Sequence, residues 1–490
     1  MPSSRKFNDK YLLKPVMAAL AVAAALASMS SHAANEADVQ KAIDYAKQHE
    51  KDGAVKASGF GMVSADGESS INLTGMVHFD AHIIRSGLPR ITDKDSASVA
   101  DAFEFRRVRL GVNGTVFKDV DYEVIVNATG TDTNILDTGY LNFSAVKEAQ
   151  VRVGRFRQPY SLEAMTKDNA IDFMERSYGD QLGPNKMLGV GVFGEPRKGV
   201  TYGLSMAQAG FNEITNTDNI GGLGTGRATV NFGELNKLDG QVIHLGASTH
   251  RGKYEVVPTT SMDTAAGAST TTRATLLTYR TESRGLANAY RAQIGGETLG
   301  TAAYGGAAND AASVNKTLNN LELAYAHGAF KFQTELAHQN LDATAATTVN
   351  LSSYNSVNVT TSTIYHELIY NLTGERWSDN YRGGSFGFVK PKANFKLGEG
   401  GTGAWQLALR VSSYKSSFIS TGDTNSRQEN SAGASTITYG VNWLLNPSTA
   451  VKFNYAATKF DRPVYILSTS PSTATTDTEN VFSVRAQINF

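Results

Sequence analysis

The sequence predicts an all-β protein, a transmembrane antiparallel β-barrel of about 16 strands preceded by a short helix. Three observations carry this expectation. From about residue 57 onward, apolar and polar residues alternate with period 2 and no helical segment is interleaved. Beyond residue 33, no apolar run reaches the roughly 20 residues that a spanning helix needs. The connectors alternate between tight ones, such as "LLNPSTA" at 444–450, and long Gly/Ser/Thr/Asn-rich ones, such as 414–435 and 461–479. Short turns at one end and long loops at the other are the layout of a barrel in an outer membrane.

In chain order, residues 1–33 read as a signal peptide. Arg5, Lys6, Lys10 and Lys14 precede the apolar run "VMAALAVAAALA" (16–27), and "SHA" (31–33) offers small residues for cleavage. Residues 34–56 form a short N-terminal segment containing "EADVQKAIDYAKQHEK" (36–51), which sets Val39, Ala42, Ile43 and Ala46 on one helical face. It is either a periplasmic helix that packs against copies of itself or a loosely ordered leader. The barrel then occupies 57–490.

Composition narrows the function. With no cysteine among 490 residues, disulfides, thiolate metal sites and cysteine nucleophiles are excluded. Losing the signal removes four basic residues and one acidic residue from a balance of 46 each, leaving a net charge of −3 that gives nucleic acid no electrostatic footing. Any preference for anions must come from where charges sit.

Strand character is plain in several stretches. "GVTYGLSM" alternates Val200, Tyr202, Leu204 and Met206 against small or polar neighbours, and "GAWQLALRV" alternates Trp405, Leu407, Leu409 and Val411 in the same way. "TITYGVNWLL" and "AVKFNYAATKF" repeat the pattern. In the last stretch, "ENVFSVRAQINF", Phe482, Val484, Ala486, Ile488 and Phe490 share the lipid face, while Arg485, Gln487 and Asn489 face the lumen. That strand must pair with the first to remove the sheet edges. About 425 residues shared among 16 strands leaves about 26 for each strand and its connection, and 14 or 18 strands fit the length as well.

By parity the lumen receives Arg107, Arg109, Lys331, Arg410, Lys452 and Arg485, together with Asp121, Glu123, Glu322 and Glu335. These residues either set a field for permeant ions or pair across the wall as structural ion pairs. Residues 159–183 break the strand period and carry Glu163, Lys167, Asp168, Asp172, Glu175 and Arg176, too polar for a lipid face, so the segment is expected to fold inward as a constriction loop. "GGLGTGR" (221–227) lacks the Lys-Ser/Thr of a phosphate loop and reads as a flexible loop. No tight metal-ligand spacing or nucleophile elbow appears, so no catalytic residue, metal or cofactor is expected, and the readings from other classes are an outer-membrane barrel enzyme and a structural or adhesive barrel.

Several stretches resemble, in order from about residue 58 to the end, the phosphate-selective porin O/P family. They include "AFEFRRVRLGVNGTVFKDVDYEVIVN", "VRVGRFRQPYSLEAMTKDNAIDFMERS", "IYNLTGE", "YGVNWLLNPSTAVKFNYAATKFD" and "VRAQINF". The resemblance implies a 16-stranded homotrimeric outer-membrane barrel that passes small anionic solutes along an arginine ladder. Arg106, Arg107 and Arg176 match rungs of that ladder, and Asp137 matches a pocket aspartate. Parity places Arg106 toward lipid unless a bulge intervenes. Two family cations are absent, since Ala164 follows Leu162-Glu163 and Met76 stands at the first-strand arginine position. Asp137 without the lysine is expected to repel phosphate, so the pore is expected to prefer anions or to pass small solutes broadly. Phe490 matches the terminal aromatic that barrel-assembly machinery reads, and outer-membrane lipids are the remaining partner.

Overall fold

The computed structural model describes residues 55–58, 60–86, 101–129, 135–208, 222–256, 259–261, 270–299, 312–346, 354–398, 400–421, 426–465 and 475–490. The signal peptide and the helix expected at 36–51 lie outside the described residues. Sixteen antiparallel strands close into one barrel: β1 (Ser70–Ser86), β2 (Ala102–Val116), β3 (Val120–Asn127), β4 (Leu136–Phe143), β5 (Gln150–Arg157), β6 (Lys186–Arg197), β7 (Val200–Ala207), β8 (Leu223–Asn231), β9 (Gln241–Val256), β10 (Ala312–His327), β11 (Phe330–Ala346), β12 (Tyr354–Asn371), β13 (Ala404–Thr421), β14 (Gly433–Asn446), β15 (Thr449–Tyr465) and β16 (Thr475–Asn489). Each pairs with its neighbours in sequence, and β16 pairs with β1 from Asn489↔Met76 to Glu479↔Ser86. Closure leaves the barrel no free edge, the condition a sheet must meet in hydrocarbon.

The seam is sealed by the last residue. The Phe490 N–H donates to the Gly75 carbonyl at 3.1 Å, and the Gly75 N–H returns a bond at 2.9 Å. Gly75 is required there because a Cβ would come within 2.6 Å of the Phe490 ring.

The wall is uneven. Strands β3, β4, β5 and β7 have 8 residues each, whereas β9 to β13 have 16 to 18. At about 3.4 Å per residue the tall strands run to about 55 Å, roughly twice the apolar band of an outer-membrane barrel. Their outer faces change accordingly. Leu321, Leu323, Leu336, Ile364, Leu368 and Leu407 form the exposed apolar band near the turn end. Further along the same strands the outer face turns polar, with His338 bonded to Ser362 at 2.9 Å and Asn358 to Asn340 at 2.9 Å. The Ser-rich stretch 414–421, expected as loop, is therefore the polar upper part of β13. "GGLGTGR" is also corrected, because from Leu223 it lies in β8, where Thr225 and Arg227 are buried inward. Glycine spacing hid the strand, since Gly224 and Gly226 supply no apolar outer side chain to read.

Among the described residues, three chain segments occupy the interior. Residues 158–185, between β5 and β6, cross the barrel. Part of the β9–β10 connection, near Thr281–Leu286, enters from the loop end beneath a small sheet of Thr259–Ser261, Thr270–Tyr279, Tyr290–Leu299 and Arg427–Asn430. There Tyr279 stacks on Tyr414 at 4.6 Å and Tyr178 packs edge-on against the same ring at 4.9 Å. The third segment, 372–403, enters from the turn end, which the layout of short turns did not anticipate. Its Trp377, Tyr381 and Phe386 are buried against Val242, Ala324 and Ile369 of the wall. Its tip turns through Gly383 and Gly384 at φ 57° and 78°, which places the Gly384 carbonyl 2.8 Å from the Arg227 guanidinium.

The seam generates a prediction. Gly75→Val drives the Phe490 ring off the wall, and Phe490→Asp puts a charge on a lipid-facing strand end. Both are expected to lower severalfold the amount of heat-modifiable barrel recovered from outer membranes. Wild-type recovery of both variants would show that closure does not depend on this contact.

Candidate functional site in the barrel interior

Two β-bulges bring charged side chains to the interior that simple alternation misplaces. Between His78↔Arg107 and Phe79↔Phe105 the ladder shifts by one, and Arg106 is the extra residue. Phe103 and Phe105 stay on the outer face, 78% and 59% exposed, while Arg106 and Arg107 both turn inward. A second shift, between Ile125↔Thr138 and Val126↔Leu136, leaves Asp137 as the extra residue of β4. Its carboxylate lies 3.2 Å from Arg109 and accepts a short hydrogen bond from Lys186.

The crossing segment is pinned by its own acids. Ser161 is the N-cap of the turn Leu162–Met165, taking φ 53° and accepting from the Ala164 N–H. The Leu162 and Glu163 N–H groups donate to Glu335 of β11 at 3.0 and 2.8 Å. Asp168 then meets four guanidinium groups. Its Oδ1 faces Arg176 at 2.5 Å and Arg157 at 3.7 Å, and its Oδ2 faces Arg107 at 3.4 Å and bonds Arg109 closely. Asp172 bonds Lys331, whose ammonium also lies 4.3 Å over Trp377. The Ile171 carbonyl accepts from Lys452.

Glu175 accepts Arg106 Nε and Nη2 at 2.7 and 2.9 Å and Arg485 at 3.0 Å, while Arg485 holds Asp80 through both oxygens at 2.7 and 2.6 Å. Arg410 lies 2.9 Å from Glu282, 3.4 Å from Glu367 and 3.5 Å from Glu163.

Burial alone would raise these loop carboxyls. Around Asp168 the arginines 107, 176 and 109 outweigh burial and hold it well below the usual carboxylate range, as Arg106 and Arg107 do for Glu175. At Glu163 burial prevails over Arg410 and the carboxyl is pushed up to about 7.

Of the residues the sequence singled out, Arg106, Arg107, Arg109, Arg176 and Asp137 meet in one connected network, and Arg485 joins it through Glu175. Lys331, Arg410 and Lys452 grip the same segment from β11, β13 and β15. Lys167 is exposed and makes no ion pair among the described residues. One expectation is corrected: Asp137 does not stand without a cation, because Lys186 and Arg109 flank it. Lys186 was missed because alternation groups it with the outward Val190 and Val192. Arg157 and Arg227 were missed as well, the first at the very end of β5 and the second inside the stretch read as loop. Met76 lies 4.0 Å from Arg109, and Ala164 is buried. Asp80, His82 and Glu104 gather in one place, but Asp80 is taken by Arg485 and Glu104 pairs with Arg284 at 3.1 Å.

A closed sixteen-strand barrel with an apolar band outside and ion-paired charge within defines an integral outer-membrane β-barrel. Residues 71–490 match the family described as phosphate-selective porin O and P, and the chain belongs to that family. It is 23% identical over 420 residues to porin O of Pseudomonas aeruginosa, covering 82% of this chain and 86% of that protein. Among solved structures it is similar to OmpT of Vibrio cholerae, with TM-score 0.47, 11% identity and coverage of 89% of this chain and 99% of that one. It is also similar to an anion-selective porin from Comamonas acidovorans, with TM-score 0.46, 13% identity and coverage of 86% and 100%.

Replacing one member of a buried charged network leaves its partners uncompensated, at about 3 to 5 kcal/mol. Glu175→Gln, which strips the acid from Arg106, is therefore expected to lower the thermal midpoint of the folded barrel. Glu68→Gln, whose pair with Lys118 is exposed, is expected to leave it unchanged. Equal midpoints for the two variants would contradict this weighting.

Proposed function

We propose that this protein is a homotrimeric porin through which small anions diffuse, with residues 158–185 as the constriction and the signal peptide of 1–33 removed on export. The observation that carries this reading is the local excess of cations beside the crossing segment. Six cations, Arg107, Arg109, Arg157, Arg176, Lys186 and the exposed Lys167, stand with four acids, Asp137, Asp168, Glu175 and Asp180. Two unit charges about 4 Å apart interact by about 4 kcal/mol at an effective dielectric near 20, so a few unbalanced cations at a narrow point govern selectivity although the chain without its signal peptide has a net charge of −3. The family's description as phosphate-selective supports the same sign.

The preference is for anions in general, without tight phosphate block. Ala164 and Met76 contribute no charge where the family has cations, and Asp137 and Asp168 occupy donors that a bound anion would need. Lys186 keeps Asp137 from repelling the solute.

In planar bilayers under a salt gradient, purified protein is expected to show a reversal potential of anion sign, and a cation-selective reversal potential would sink this reading. Lys186→Met, which takes one of its two cations from Asp137, is expected to move the reversal potential toward the cation side at unchanged trimer yield. A variant indistinguishable from wild type would show that this pair does not face the permeant ion.

A further inference from the structure

Asp168 faces more guanidinium groups than any other carboxylate among the described residues. Its two oxygens share four guanidinium groups, two on each oxygen, and the side chain is buried to 5% exposure. The match is incomplete on the arginine side: Arg107 Nη1 and Arg109 Nε are buried and have no hydrogen-bond partner among the described residues. A carboxylate offers two oxygens on one edge, whereas a tetrahedral oxyanion offers up to four in different directions. The donors are thus arranged for an anion with more oxygens than the one the chain supplies. Three of these arginines also reach a second acid, Arg109 with Asp137 at 3.2 Å, Arg176 with Asp180 at 3.6 Å and Arg107 with Glu175 at 3.9 Å, and Asp168 is the one acid common to all four.

We infer that Asp168 is a tethered counter-ion that occupies an oxyanion site formed by Arg107, Arg109, Arg157 and Arg176, and that it sets the pore's selectivity by competing with phosphate-class solutes for that site. This rests on the reading of the protein as an anion-preferring pore. A tethered competitor acts at the high effective concentration of an intramolecular group, so a free anion displaces it poorly. The result is a constriction that attracts anions through its residual positive charge and releases them because no complete site is open to them. Fast passage and weak binding then have one cause.

The test is Asp168→Asn, which keeps the shape and removes the charge. In planar bilayers the variant is expected to shift its reversal potential further to the anion side, and inorganic phosphate is expected to block its chloride current at a concentration at least about tenfold lower than in wild type. Block at the wild-type concentration, or a shift toward cations, would overturn the inference. Cation selectivity of the wild-type channel would instead overturn the underlying functional reading.

The substitution leaves Arg157 without an acid and takes one of two from Arg107, Arg109 and Arg176, so the variant is also refolded from denaturant with and without inorganic phosphate. Phosphate is expected to raise the yield of heat-modifiable barrel for Asp168→Asn and to leave wild type unchanged. If phosphate makes no difference to the variant, Asp168 is a structural ion-pair partner only and the inference fails.

Discussion

The rest of this structure depends on one constraint: in hydrocarbon, every backbone N–H and C=O must find its partner within the protein. Sixteen strands satisfy it only by closing, and closing creates an enclosed interior whose polar side chains face one another across the lumen. Gly75 and Phe490 show how local the solution is, since two hydrogen bonds and a ring lying where a Cβ would otherwise stand complete the seam. Inward faces carry the wall's charged side chains, and they turn apolar at residues such as Val242, Ala324, Ile369 and Val357, which belong to buried hydrophobic clusters.

That charge sets the second problem. Arginines from β2, β5, β13 and β16 point into a space where a lone guanidinium would be poorly solvated, so the chain brings carboxylates to them on the crossing segment. Asp168, Asp172 and Glu175 reach cations around the wall, with Arg107 shared by Asp168 and Glu175, and the Ile171 carbonyl and the Leu162 and Glu163 amides add hydrogen bonds to Lys452 and Glu335. The segment is held by these ion pairs and by the burial of Tyr160, Leu162, Phe173, Tyr178 and Leu182, and its position and the field it leaves in the lumen are two aspects of one arrangement. The aromatic plug of Trp377, Tyr381 and Phe386 does the opposite work at the turn end, filling the tall half of the barrel with packed rings.

Much of this was legible in the chain. Period-2 alternation marked β7, β13, β14, β15 and β16 and assigned Arg107, Arg109, Lys331, Arg410, Lys452 and Arg485 to the inside, where the structure has them. The loss of that period at 159–183, with seven charged residues in it, marked the crossing segment. β8 escaped because glycine stands where its outward apolar residues would be, and the upper part of β13 escaped because beyond the membrane its outer face is serine and lysine.

Alternation is a property of neighbouring residues, so the sequence by itself determined the barrel class, the lipid face and the polarity of the interior. The bulges at Arg106 and Asp137 are properties of a pair of strands. Which residue becomes the extra one depends on the register of the partner, and only tertiary structure decides it. The same holds for the pairing of charges: the cation beside Asp137 is Lys186, and the acid among Arg107, Arg109, Arg157 and Arg176 is Asp168. Coulomb energy depends on distance in space, and barrel closure brings together groups that the chain keeps far apart.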